Sequence, residues 1–394
     1  MAITDGVTIV GAGPAGLLLA ILLAKSGIKG IKVVEKDSGP TEETRAVFYL
    51  PVSMFEFERA GILTDVTTAA LQPKSACFRD AADGKPLFSM PGKGMIALSL
   101  DKLAAIIGSH AAQHDEVDIL YGHEVVDLGQ NELSAWVDVR TANGQKRIES
   151  QYIVGCDGGR SFVRKALFGE QPMPGFTWDK NLVAIDLTYD LESNLPETAD
   201  SNLFLHPEDA WLAFRPDKEP NHWRVICRFE GNPKGAELDD ALKALLPGQP
   251  SPEQYKVARA ITYQIHQRIV DSMRVGKVLL ASDAAHLCCP YGALGLNGGI
   301  ADIGSLRDCL VAIHEEKAND TILDIYSEVR RDKWKTIVDP MSQGTLKMVF
   351  SDPANIADQP AYKMSQLVKT DPEAARAQAP NPLALRYDFS SHFA

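Results

Sequence analysis

Apolar positions along the chain follow two spacings, one of strand type and one of helix type. Val7 to Val10 is a short β-branched run that meets the glycines of Gly11 to Gly16, after which Leu17 to Ala24 continues as an apolar helix. A second apolar run, Ile31 to Val34, stops at Glu35 and completes a strand–helix–strand unit of parallel-sheet type. The spacing predicts a helix over Asp101 to Gln113, then strands at Val117 to Leu120, Val125 to Leu128 and Ala135 to Val139, with Asn143-Gly144 as a hairpin turn. Between Phe176 and Phe229 the pattern turns to strand-like runs, Leu182 to Tyr189, Trp211 to Arg215 and Trp223 to Phe229, separated by Pro- and Asp-rich loops. A second, mostly β unit is expected there. Val275 to Ala281 returns to a buried parallel-type strand, and Ile300, Ile303, Leu306 and Leu310 recur at helical spacing after Leu296. Ile322 to Val338 carries a further helix, and beyond Ser351 an irregular tail with short helices is expected.

Composition narrows the function classes. The formal charge of −12 opposes a polyanionic backbone, so nucleic acid is not an expected partner. No run approaches the roughly 20 apolar residues of a membrane span, and Met1 to Gly6 lacks a basic, apolar and cleavage-site series, so a cytoplasmic address is expected. The six cysteines form no CxxC pair and no Cys/His cluster of zinc spacing, so reduced thiols and no metal are expected.

Three motifs carry candidate chemistry. Gly11-Ala12-Gly13-Pro14-Ala15-Gly16 follows a strand and opens a helix: Gly11 permits the tight turn, Gly13 lets backbone approach a pyrophosphate, and Gly16 allows helix to pack on strand. The helix N-terminus offers free N–H groups to phosphate, and Glu35, nineteen residues past Gly16, can accept from ribose hydroxyls. This motif does not separate FAD from NAD. Cys156-Asp157-Gly158-Gly159-Arg160-Ser161-Phe162-Val163-Arg164 follows the strand Tyr152 to Val154. Ser282-Asp283-Ala284-Ala285-His286 follows Val275 to Leu280 and runs through Pro290-Tyr291-Gly292-Ala293-Leu294-Gly295-Leu296-Asn297 into a helix.

In this order the three motifs resemble those of the class A flavoprotein monooxygenases, the family of p-hydroxybenzoate hydroxylase and phenol hydroxylase, over about Val7 to Gly344. Weaker similarity resembles a fungal subgroup, the maackiain-detoxifying monooxygenases. The resemblance implies an α/β fold: an FAD-binding Rossmann-like domain of glutathione-reductase type, an inserted mostly β substrate domain, and C-terminal helices. Its parts would be 1–75, 98–175 and 272–345 for FAD, 76–97 and 176–271 for substrate, and a tail at 346–394. It also implies that Gly11, Gly13, Ala15, Gly16, Glu35 and Lys36 hold the ADP half of tightly but non-covalently bound FAD, with Arg45 on the pyrophosphate side. Asp157 and Arg160 would serve FAD or nicotinamide, Asp283 the ribityl chain, and Gly295 with the backbone of Leu296 and Asn297 the pyrimidine end. A helix starting near Leu296 would place its positive end at the reduced, anionic ring. Pro290 would lie over the ring. From the residues themselves, Tyr291 is expected to line the substrate pocket or to cover the core as a loop aromatic, and Arg215 and Arg224 either to meet the substrate or to be solvent-facing strand residues.

The implied chemistry uses NADPH or NADH as a transient donor and dioxygen, which forms a C4a-hydroperoxyflavin that hydroxylates a phenolic or aromatic small molecule. A monomer or homodimer is expected. Other readings remain: a related flavin oxidoreductase or halogenase, or a non-catalytic binding protein that kept the fold. His286 is expected to be a packed motif histidine, Tyr49 either flavin-facing or core, and His266 and Arg268 either nicotinamide contacts or surface residues. Ser282 and Leu100 depart from the family, which has glycine at the first position and often arginine or glutamine at the second.

Overall fold

The computed structural model describes residues 2–41, 46–92, 94–229 and 231–393, with backbone alone at Lys180. Arg45 therefore lies outside the described residues. The helix Pro14–Ala24 is apolar on every side and every one of its residues is buried, as expected of a helix sandwiched between layers. One neighbour is a six-stranded sheet in the order 274–275, 278–280, 152–155, 7–10, 31–34, 117–120. All its pairings are parallel except that of Arg274–Val275 with Val278–Leu280. The other neighbours are the helices Leu100–Ala111 and Leu294–His314. A three-stranded antiparallel sheet, 124–130, 135–141 and 144–150, packs near the ends of the parallel strands.

Strand order reverses on the two sides of Val7–Val10, and the loops after the strands emerge along one edge. Gly11 N–H donates to Val34 C=O (2.8 Å), Cys156 N–H to Val10 C=O (2.8 Å), Ala281 N–H to Gly155 C=O (3.0 Å) and Glu35 N–H to Leu120 C=O (2.9 Å). The three motifs thus leave the sheet in one row, at a crevice where open α/β sheets bind ligands.

The second layer is an eight-stranded sheet in the order 286–287, 255–269, 175–189, 222–228, 211–214, 201–205, 75–80, 86–91. The hairpin 75–91 joins it through parallel pairing of Ser75–Asp80 with Ser201–Leu205. Its outer face buries Val183, Ile185, Trp211, Trp223 and Val225 under the helix Ala236–Leu245. Its inner face presents Leu182, Leu212, Phe214, Ile226 and Ile265 toward Tyr291 and Leu346. The 15-residue strand Tyr255–Ile269 is absent from the sequence expectation. Its alternation is blurred because most of it is only half-buried, and Lys256, Arg259 and Gln264 interrupt the apolar positions. Its partner begins at Gly175, seven residues before Leu182, with irregular register between Thr177 and Asn181.

The expected helix from Ile322 passes through a π-turn at Trp334–Val338 and continues as Asp339–Val349. The tail forms the helices Pro360–Thr370 and Pro372–Gln378, and Phe389 returns to the main core. Among the described residues no helix is long and apolar enough to cross a membrane.

Candidate active site

The glycine loop has the geometry its spacing demands. Gly11 has φ +107°, and a Cβ there would sit 2.6 Å from the Cys156 carbonyl oxygen. A Cβ on Gly16 would stand 2.1 Å from the Gly11 carbonyl oxygen, whereas one on Gly13 would meet nothing within 4 Å. Two glycines are therefore required by protein packing and the third faces open space, as a pyrophosphate cradle requires. Pro14 occupies the first helical position and loses no needed donor there, and Ala15 is buried behind it. Glu35 accepts from Ala12 N–H (2.9 Å) and Asp37 N–H (3.0 Å), and its oxygens keep lone pairs for a ribose. Lys36 is exposed.

The second motif behaves differently from expectation. Asp157 accepts from Ser161 Oγ (2.5 Å) and Val163 N–H (3.1 Å), while Ser161 Oγ accepts from Arg164 N–H (2.9 Å). Both carboxylate oxygens are committed to starting the helix Phe162–Phe168, so Asp157 shapes this loop from within. Burial pushes its carboxyl up, and these hydrogen bonds oppose the shift. Arg160 is exposed. Arg164, which the sequence reading left without a role, donates to Ala284 C=O (3.0 Å) and Gly159 C=O (2.7 Å) and fastens the second motif to the third.

The third motif puts Asp283 on the 3-10 turn Ser282–Ala284, exposed between two buried neighbours. Ser282 has φ +58°, a left-handed conformation that favours glycine. Its N–H donates to Asp302 Oδ2 (2.9 Å), and the same oxygen meets His286 Nε2 (2.7 Å). Arg330 Nε donates to the other oxygen of Asp302 (2.6 Å). His286 is thus a packed residue as expected, with a partner supplied by the long helix. Asp302 is held below the usual carboxylate range: burial would raise it, and His286 and Arg330 outweigh burial.

That helix starts at Leu294, slightly earlier than expected, after Ala293 at φ +58°, and no side chain caps it. Its first N–H groups, including those of Gly295 and Leu296, are the unsatisfied donors of a helix start. Asn297 turns its side chain the other way: Oδ1 accepts from Leu50 N–H (2.8 Å) and Ser53 Oγ (2.6 Å), and Nδ2 donates to the carbonyls of Phe48 and Ala293. The segment 48–53 is thereby pinned beside the helix start.

Pro290 is exposed and Tyr291 is buried. The hydroxyls of Tyr49 and Tyr291, Asp101 Oδ1 and Trp178 Nε1 are buried without a hydrogen-bond partner. Tyr263 is half-buried on the same face, and burial pushes its hydroxyl well up. Arg224 also lies on the inner face, across from Phe214 and Asp186. It is buried and bidentate to Asp186 at 2.6 and 2.8 Å, so its fork is occupied by protein. Tyr49 and Tyr263 both feel its charge.

Arg215 does not join this group. It lies just past the strand, which ends at Phe214, and its guanidinium is 3.7 Å from Glu192. His266 bonds Thr177 Oγ1 (2.9 Å), and Arg268 donates to Met173 C=O and Thr177; both tie down the start of strand Gly175–Tyr189. Cys289 Sγ lies 3.1 Å from Ser342 C=O, buried in the same apolar cluster as Tyr291. Asp217, Glu219 and His222 cluster at ligand spacing, but Lys102 Nζ already bonds both carboxylates at 2.8 and 2.9 Å.

Residues 4–340 match the model of the FAD binding domain family, so the chain belongs to that family, and it is an FAD-dependent aromatic monooxygenase. Among curated relatives it is 32% identical to para-nitrophenol 4-monooxygenase of Pseudomonas sp. (strain WBC-3), over 91% of each chain. It is 29% identical to 6-hydroxy-3-succinoylpyridine 3-monooxygenase of Pseudomonas putida, over 89% of this chain and 90% of the relative. The crystal structure of p-nitrophenol 4-monooxygenase from Pseudomonas putida DLL-E4 superposes with TM-score 0.86 at 30% identity, covering 96% of this chain and 97% of that one. These relatives are bacterial, and the fungal placement gains no support from them.

Proposed function

We propose that the chain hydroxylates a small phenol held between the inner face of the eight-stranded sheet and the helix Asp339–Val349, with NADPH or NADH as a transient reductant and dioxygen as oxidant. The observation that carries this reading is the pair of buried, unpartnered hydroxyls, Tyr49 and Tyr291, among apolar walls. Each such group costs about 1–3 kcal/mol unless something completes it, and a ligand oxygen would do so. The named substrate of the 32% identical relative, para-nitrophenol, has such oxygens.

In this reading 1–75, 98–175 and 272–345 hold FAD, and 76–97 with 176–271 hold substrate. The loop of Gly11, Gly13 and Gly16, with the helix behind it, would take the pyrophosphate, Glu35 the ribose and Asp283 the ribityl chain. The N–H groups at the start of Leu294–His314 would face the pyrimidine end, where a helix N-terminus stabilises negative charge. Bound FAD supplies the activation of oxygen. The protein orients the ring through Tyr49 and Tyr291, while Leu212, Phe214 and Ile226 exclude water. Pro290 would border the reaction space, and Arg224 acts at its edge by charge. Six unpaired cysteines fit a reducing cytoplasm.

Purified holoenzyme is expected to be yellow and to oxidise NAD(P)H at least tenfold faster when para-nitrophenol or another simple phenol is added, with one atom of labelled dioxygen in the product. Stimulated consumption with no label in any product would refute the hydroxylase reading. A failure of every simple phenol to stimulate would refute the phenol.

A further inference from the structure

The turn that carries Asp283 is held from behind by a buried charged brace that reaches the C-terminal tail. Asp302 has no exposed surface, and His286 and Arg330 have 2% each. Asp302 takes the Ser282 N–H, the His286 ring and the Arg330 guanidinium at 2.6 to 2.9 Å. Arg330 continues outward, donating to the carbonyls of Gly298 (3.4 Å) and Leu385. Beside it Lys333 Nζ donates to Ala384 C=O (2.8 Å). Arg386 then stacks its guanidinium 3.5 Å from the centre of the Phe55 ring, and Phe389 is buried in the main core.

Burying a carboxylate, a guanidinium and a histidine together is costly unless geometry requires it. What this arrangement imposes is specific. The Ser282 N–H is captured while Ser282 sits in a left-handed conformation, and that conformation sends Asp283 outward from the turn. The Gly298 carbonyl ties the same brace to the first turns of the helix whose N-terminus faces the crevice.

We propose that Asp302 is the positioning residue of the FAD-binding turn, and that segment 383–389 is the outer end of the same brace, so that tail docking and FAD affinity are coupled. Asp302 itself touches no cofactor in this scheme. It acts through Ser282 and through the helix start, and Arg330 transmits the state of the tail. The inference rests on the family's FAD and not on the phenol, so it survives if the substrate reading fails.

The test measures the FAD dissociation constant by flavin fluorescence, the bound flavin spectrum and the Tm of the apoprotein, for Asp302→Asn, Arg330→Lys and a control. The control is Asp320→Asn, which breaks the contacts to Tyr152 and Lys277 far from the turn. Asp302→Asn is expected to weaken FAD at least tenfold and to shift the flavin spectrum. Asp320→Asn is expected to lower Tm and leave the dissociation constant within twofold. Arg330→Lys keeps a cation beside Asp302 but gives up the fork that reaches Leu385; it should weaken FAD several-fold, and it decides the matter if Asp302→Asn does not accumulate. Deleting residues 383–394 should weaken FAD to a similar degree. Wild-type affinity and spectrum in Asp302→Asn, or in Arg330→Lys, would overturn the positioning role. Wild-type affinity in the truncated chain would overturn the coupling to the tail.

Discussion

Single residues in this chain separate stability from function where a polar atom is buried with nothing to bond. Tyr49 is fully buried, its hydroxyl has no partner, and burial pushes that hydroxyl far above the ordinary phenol value. Tyr49→Phe removes an atom whose desolvation costs about 1–3 kcal/mol and leaves the ring in place. The apoprotein should therefore be as stable as the wild type or slightly more so, while the KM for a phenol rises about tenfold with FAD affinity unchanged. A drop in Tm with an unchanged KM would show that the hydroxyl serves the fold. Arg224 illustrates the converse. From the sequence it reads as a strand residue that faces either substrate or solvent, but strand pairing brings Asp186 opposite it and fills its fork. A partner 38 residues away cannot be seen from local spacing.

At the scale of elements, the turn Ser282–Ala284 and the helix Leu294–His314 touch at a point where only glycine fits. A Cβ at Gly299 would come within 2.2 Å of Ser282 Oγ and 2.7 Å of its Cβ. Alanine gains about 1 kcal/mol of helix propensity over glycine, but overpacking of this kind costs about 1–3 kcal/mol and would push the turn off the helix. Gly299→Ala should lower Tm by about 1–2 °C and weaken FAD. Adding Ser282→Gly removes the obstructing atoms and relaxes the left-handed residue, so the double variant should recover most of both losses. Non-additivity of this sign in a double-mutant cycle is the measurement; two additive losses would show that the clash is not what links them. Much of this arrangement is legible in sequence, because the strand–glycine–helix spacing and the motif order mark the crevice. The brace is not, although one signal exists: Asp302 is a lone acid in the apolar stretch from Ile300 to Leu306, and a buried acid needs a partner. The strand Tyr255–Ile269 escapes for a different reason, since its half-buried face carries charge and the alternation that would reveal it is lost.

At the scale of the whole molecule, the parallel-sheet layer and the eight-stranded layer are joined by a charged contact that should make stability depend on pH. Lys102 on the helix Leu100–Ala111 reaches Asp217 and Glu219 in the loop between strands 211–214 and 222–228, and His222 Nδ1 lies 3.0 Å from Asp217. The Asp217 hydrogen bond and charge raise His222 above its ordinary value, while partial burial opposes the shift. Burial would raise Asp217, yet the hydrogen bonds from His222 and Lys102 outweigh it and hold the carboxyl far down. A histidine raised on folding contributes its full stability below about pH 6.5, and that contribution is lost as pH climbs through the folded value. An aspartate lowered on folding contributes above about pH 4 and loses its share only as pH falls further. Both act together between about pH 4 and 6.5. His222 is 21% exposed, so its share is about 1 kcal/mol, between an exposed ion pair and a buried charged hydrogen bond. In a chain of 394 residues that corresponds to about 1 °C. His222→Gln should therefore trail the wild type most at pH 5.5, with the gap in Tm closing by pH 8, and the His222 ring should titrate above the ordinary histidine value by NMR. A gap that widened with rising pH would mean that the imidazole is buried neutral and that the contact between the layers is held by Lys102 alone.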